Sequence, residues 1–207
     1  MDAIVLLEQD HRTVESLFKQ FEALGERAQQ AKRKVAQKII RALAMHAAIE
    51  ETLFYPAVRA AARAKETKAN AAADDLVLES LEEHHIVKWT LSELEKMDPE
   101  NERFDAKMKV LMESVRHHVE EEEQDLFPKA RKMLKDTSEQ LGAAMAKAKK
   151  IAPTRPHPRA PDQPPGNFVA GPVAAAMDRG RDFAAGFAAK MMKRGRSAMS
   201  GKELRNP

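Results

Sequence analysis

Apolar residues recur at helical spacing in four stretches of the chain, covering roughly residues 2–23, 27–65, 72–97 and 101–136. Short polar or Gly/Pro punctuation separates them. Gly25 closes the first, the run from Asn70 to Asp75 opens the third, and Asp98-Pro99 divides the third from the fourth. Connections this short make neighbouring helices antiparallel, so the pattern predicts an all-α, up-down-up-down four-helix bundle. Beyond Ile151 the pattern breaks: APTRPHPRAPDQPPG holds six prolines, which a helix interior does not absorb. The expected organisation is a bundle over 1–150 and a Pro-rich linker with a basic, partly helical tail over 151–207. Within that tail Phe183, Phe187 and Met191 fall four apart, with basic residues between them, as in an amphipathic helix over Phe168 to Arg196.

The helical pattern also repeats itself. HAAIEETLFYP at 46–56 and HVEEEEQDLFP at 118–128 share His first, Glu fifth, a second Glu after it, and aromatic-Pro at the end. Likewise DHRTVESLFKQF from Asp10 aligns with EHHIVKWTLSEL from Glu83. The chain thus reads as two copies of a helical hairpin, each with His on its first helix and His-x-x-x-Glu on its second. On a helix, i and i+4 share a face. His46 lies on a stripe with Ile39, Leu43, Ile49 and Leu53, and His118 with Leu111, Val115 and Leu126; His11 and His84 are flanked by comparable apolar rows. All four helices therefore direct a histidine inward. His85 and His117 lie on poorer stripes, and the repeat selects His84 and His118 over them; the expected place of both neighbours is behind the ligands or on the surface. His157, in the Pro-rich segment, is expected to be a bystander.

An inward carboxylate is costly unless paired or bound to a cation, and the inner stripes around Glu50 and Glu122 hold no Lys or Arg. A single inward histidine is more often a hydrogen-bonded core residue than a ligand; four in register with two matched carboxylates point to metal. The candidate ligands are His11, His46, Glu50, His84, His118 and Glu122. Imidazoles and carboxylates together suit iron or another first-row ion rather than calcium or magnesium. If both glutamates bridge, each of two ions has two histidines and two carboxylate oxygens, with positions left for a bridging oxygen and a small exogenous ligand. With no cysteine, disulfides, thiolate zinc sites and iron–sulfur clusters are excluded. The start, MDAIVLLEQDH, does not read as a signal peptide and no run reaches membrane-spanning length, so a soluble, cytoplasmic protein is expected. The net charge of +3 divides unevenly, with the body acidic and residues 152–207 carrying 10 basic against 4 acidic side chains.

On these residues the chain resembles the hemerythrin-like, or HHE cation-binding, domain over about residues 3–135, through DHRTVESLF at His11, HAAIEETLFYP at His46 and Glu50, EEHHIV at His84, and HHVEEEEQDLFP at His118 and Glu122. The resemblance implies a four-helix bundle around two non-haem iron ions, oxo- or hydroxo-bridged. It also implies a role in binding O2, sensing iron or oxygen, handling nitric oxide or decomposing peroxide. The sequence departs from the O2 carriers in two places. Their second histidine on the third helix is here Lys88, and their final Asp, five residues after the last His, is replaced by Glu at four. The pattern is closer to the sensing and stress-response branch, and an enzyme of this kind would consume peroxide or nitric oxide. The alternative function is a metal-stabilised binding module whose basic tail engages an acidic partner, nucleic acid or a membrane surface.

Overall fold

The computed structural model describes residues 1–65, 67–163, 166–167 and 170–182. Helix α1 (Ala3–Glu22) starts where Asp2 Oδ1 accepts hydrogen bonds from the amides of Ile4 at 2.9 Å and Val5 at 3.2 Å, which satisfies donors the helix itself leaves open. Helix α2 (Gln29–Ile49) runs through a π turn (Glu50–Phe54) into α3 (Tyr55–Arg63). Helix α4 (Lys68–Lys96) is capped by Thr67, whose Oγ1 accepts from Asn70 N at 3.2 Å. Helix α5 (Phe104–Glu121) passes through a second π turn (Glu122–Leu126) into α6 (Phe127–Met133), and α7 (Ser138–Lys149) follows. Among the described residues there is no strand, and no helix is long and apolar enough to cross a membrane.

The four predicted rods are present as α1, α2–α3, α4 and α5–α6, in the up-down-up-down order, with α7 laid against α1 and α2. Two details differ from the sequence reading, and a third, the passage of the prolines, is explained by the structure. The run around Asn70 lies inside α4 rather than ahead of it, because Thr67 supplies the cap and the alanines continue the helix. The two rods continue past Pro56 and Pro128, as the predicted stretches 27–65 and 101–136 require. The backbone widens by one residue into a π turn just before each, and the proline falls in the first turn of the next helix, where a missing N–H is tolerated. Finally, α7 stands as an additional helix beyond the four stretches.

Buried side chains form two apolar clusters, one at each end of the bundle. The first gathers Ile4, Leu7, Ile49, Phe54, Val77 and Phe127, and the second Val14, Phe18, Ile39, Leu91, Phe104 and Leu111. Between them lies a belt of buried polar residues that includes all six candidate ligands.

The proposed tail lies partly within the described region. Residues 151–163 pass over the bundle in turns and bends, without regular structure, and 170–182 are helical. The stretch with Phe183, Phe187 and Met191 lies outside the described residues.

Gly142 on α7 sits against the start of α1, where a Cβ would run into the backbone of Met1, Asp2 and Ala3. Backbone atoms cannot rotate away. Gly142→Ala is therefore expected to push α7 off the bundle and cost about 1–3 kcal/mol, read as a drop of several degrees in the thermal midpoint.

Candidate metal centre

Each hairpin contributes the same construction. His11 on α1 and His46 on α2 point their Nε2 atoms at one another at 3.2 Å, and His84 on α4 and His118 on α5 do so at 3.1 Å. Both π turns begin at the glutamates, Glu50 and Glu122, which are fully buried. Glu50 Oε2 lies 3.1 Å from His46 Nε2 and 3.4 Å from His84 Nε2. Glu122 Oε2 lies 3.3 Å from His11 Nε2 and 3.5 Å from His118 Nε2. Each carboxylate thus reaches one histidine of each pair, as a bridging ligand must. The structure brings all six predicted residues together, in two groups (His11, His46, Glu50 and Glu122; Glu50, His84 and His118) whose ligand atoms lie within 4.8 Å of one another.

The outer ring nitrogens explain which lone pairs face inward. His11 Nδ1 lies 2.8 Å from Glu123 Oε1, His84 Nδ1 3.1 Å from Glu51 Oε1, and His118 Nδ1 2.7 Å from Glu83 Oε2. His46 Nδ1 is 3.6 Å from Asp10 Oδ2, beyond hydrogen-bond length. A carboxylate at Nδ1 keeps the proton there and turns the Nε2 lone pair toward the centre. Donor atoms 3.1–3.5 Å apart are spaced as neighbouring corners around an ion bonded at about 2.1 Å, for which an octahedron has edges of about 3.0 Å and a tetrahedron about 3.4 Å. Both oxygens of Glu50 and Oε2 of Glu122 are buried without any hydrogen-bond partner. Orphaned buried oxygens beside converging imidazoles are what a cation would satisfy, so the donor set fits two metal ions.

The four outer carboxylates are not among the candidate ligands named from the sequence. Their signal lay within the repeat, since Asp10 and Glu83 precede the matched histidines and Glu51 and Glu123 follow the matched glutamates. Tyr55, read from sequence as a core residue, also reaches the site: its hydroxyl donates to Glu122 Oε1 at 2.9 Å and lies 3.3 Å from His84 Nε2. Its repeat partner Phe127 instead stacks on His11, with ring centroids 5.7 Å apart. Lys88, at the position of the O2 carriers' extra histidine, is buried and bonds both oxygens of Glu51 at 2.9 and 3.0 Å. His85 accepts from Trp89 Nε1 at 3.1 Å, and His117 is exposed beside Glu121, so both lie outside the cluster. His157 lies outside the cluster as well, with its Nε2 3.1 Å from Asp178 Oδ2.

Burial and the charge of Glu122 hold the Glu50 carboxyl well above its usual range. Glu122 shifts the other way, because His118, His11 and His46 together outweigh its own burial. Burial brings His46 down to about 4 and also lowers His84. His11 and His118 are depressed by burial, but nearby glutamates more than compensate and leave both raised.

The chain matches the sequence profile of the hemerythrin HHE cation binding domain over residues 2–130. It is 32% identical over 142 residues to an uncharacterised hemerythrin-like protein of Schizosaccharomyces pombe, covering 68% of this chain and 66% of that one, a little under two thirds of the relative's length. Its fold is similar to that of a hemerythrin HHE cation-binding domain-containing protein from Mycobacterium kansasii, with a TM-score of 0.56 at 20% identity, over 72% of this chain and 88% of the other. A bundle with paired His/Glu clusters and a profile match over most of its length defines a class, that of metal-binding helical bundles. The chain belongs to the hemerythrin HHE cation-binding family.

Glu50, His11 and His118 are all shifted toward holding protons, and a cation binding at these donors displaces those they hold. Metal uptake is therefore expected to release protons, with affinity rising as pH rises. Calorimetric titration with a divalent ion in two buffers of different ionisation enthalpy measures this; the difference should correspond to at least about one proton released.

Proposed function

We propose that the chain is a non-haem di-iron protein that binds or reacts with O2, peroxide or nitric oxide, acting as a sensor or in protection against oxidative or nitrosative stress. The observation that carries this reading is a cavity of about 20 Å³ lined by His11, His46, His84 and His118 and roofed by apolar side chains, among them Val14, Leu43, Val87 and Val115. Its size suits one water or a diatomic molecule. Its apolar roof leaves a ligand with the histidine edges as its polar surroundings. In this reading His11 and His46 hold one ion, His84 and His118 the other, and Glu50 and Glu122 both. Iron, when bound, supplies the redox change and open coordination positions that chemistry of small oxygen and nitrogen ligands requires.

The residues around the donors have separable tasks. Asp10, Glu51, Glu83 and Glu123 hold or face the Nδ1 atoms and fix the imidazole orientation. Valines and Leu43 exclude bulk water from the ligand side. The Tyr55 hydroxyl keeps its proton, since burial and the charges of Glu122 and Glu50 raise its pKa well above the ordinary value, and so it remains a donor to Glu122 Oε1. A groove of about 500 Å³, lined among others by His11, Arg12, Glu15, Arg116 and Glu123, borders the His11 side of the centre and is where a small ligand would approach.

The alternative, a basic tail that engages an acidic partner, nucleic acid or a membrane surface, draws mainly on charges at 190–205, outside the described residues. Within the described tail, Arg155 pairs with Glu95 and Asp182 of its own chain.

Iron-replete protein is expected to carry about two irons per chain and to show visible absorption that changes on adding peroxide or nitric oxide. Below about one iron per chain, with no such absorption, the reading fails. His46→Ala should lower iron content and the thermal midpoint together. A midpoint that stays or rises would instead indicate a metal-free structural bundle.

A further inference from the structure

The two hairpins build the centre with matching parts, yet one of its flanks is covered by a segment the repeat does not contain. Glu51 and Glu123 occupy equivalent positions behind His84 and His11. The Glu51 side chain is 8% exposed and that of Glu123 42%. Besides Lys88, Glu51 is covered by described residues of the segment that follows the family match, 151–163 and Asn167, which lie over α2 and α4. Pro153, Pro156 and Pro161 lie over Glu51 and Lys88, leaving a residual cavity of about 60 Å³ beneath them.

Polar contacts fix this strap at both ends. Fully buried Asp178 accepts from the amides of Thr154 at 2.9 Å and Arg155 at 3.1 Å and meets His157 Nε2. Arg155 pairs with Glu95 on α4, and Asp182 with Arg41 on α2 at 3.2 Å. Arg59 Nη1 donates to Gln163 Oε1 at 3.1 Å.

Between these anchors, Asn167 Nδ2 donates to the backbone oxygen of Glu51 at 2.9 Å. That oxygen has a specific reason to need a donor. In the π turn Tyr55 N bonds Glu50 O, so Glu51 O faces position 56, where Pro56 has no N–H to give. A buried carbonyl left alone is costly, and Asn167 supplies the missing donor. Glu123, ahead of Pro128, has the same backbone arrangement in the second hairpin but lies at the surface.

We propose that the described residues of 151–163, 166–167 and 170–182 act as a strap whose Asn167 is a positioning residue of the metal centre. By tying down the turn that carries Glu51 against His84, it keeps the ion on His84 and His118 in slow exchange, while the ion on His11 and His46 exchanges first through the open Glu123 flank. This inference rests on the two-ion reading above. A further groove, of about 340 Å³, approaches Glu51 from the α3 side, but Arg59 and Arg63 on its wall are held by Asp74 and Tyr55 at its base is buried. The 500 Å³ groove, by contrast, opens directly on His11 and Glu123.

The test is the rate at which full-length, iron-loaded protein gives up metal to an excess of a strong chelator, together with total iron per chain. Wild-type protein should release its two irons in two phases of equal amplitude. Asn167→Leu, which keeps the side-chain size but removes the donor, should speed the slow phase by at least about tenfold and leave the fast phase unchanged. Asp178→Ala, which frees the strap at a different point, should do the same, whereas Glu123→Gln should accelerate the fast phase alone. A generally loosened fold would speed both phases together. Two irons released in one phase, or a slow phase untouched by both strap variants, overturns the strap's role and leaves the two-ion reading standing. A wild-type chain that holds a single iron overturns that reading and the inference with it.

Discussion

Four imidazole nitrogens and two carboxylates converge between two apolar clusters, and the rest of the molecule is arranged around making that convergence tolerable. Lone pairs 3.1–3.2 Å apart repel unless a proton or a cation lies between them, and carboxylates out of water are costly without a counter-charge. Without a cation, the chain must distribute protons among six bases. Glu50 and Glu122 shift in opposite directions as a result, while burial drives His46 and His84 toward neutrality. A pair of divalent ions would relieve all of these strains at once. The apolar clusters above and below supply the rigidity that holds the donors at ligand spacing.

The repeat explains the geometry economically. In the two-ion reading, each hairpin would lend its two histidines to one ion and its glutamate to both. The outer carboxylates follow the same rule: Glu83 supports a histidine within its own hairpin and Asp10 faces one, whereas Glu51 and Glu123 support histidines of the opposite hairpin. The hairpins are therefore joined by hydrogen bonds as well as by shared ligands. Departures from the repeat are where individuality enters. Tyr55 and Phe127 place a hydroxyl on one side and a flat apolar ring on the other, and Lys88 neutralises Glu51 while Glu123 faces solvent. The described tail adds to the same asymmetry by covering the Lys88 side.

Much of this was legible in the residues. Helical spacing gave the four rods, and the offset between the two HxxxE segments brought the six inward bases into register. The outer carboxylates were equally present in the repeat, but a glutamate in an acidic run carries no mark of which way it turns; only the fold shows that Glu123 turns back to His11. The π turns could not be read either, since a proline inside a helix signals interruption without saying how the backbone accommodates it. Here the widening sets Glu50 and Glu122 at the start of each turn and leaves Glu51 O in need of Asn167. The docking of 151–182 depends on single side chains, Asp178 and Asn167, that no periodic pattern marks. Composition alone made that segment look like a free linker.

The central claim, that these six residues hold two ions, is tested most directly by anomalous diffraction at the iron edge from crystals of the iron-loaded protein. Two peaks about 3.5–4 Å apart are predicted, one between His11 and His46 and the other between His84 and His118, each within bonding distance of Glu50 and Glu122. A single peak, or iron bound elsewhere with Glu50 and Glu122 still lacking partners, would contradict it.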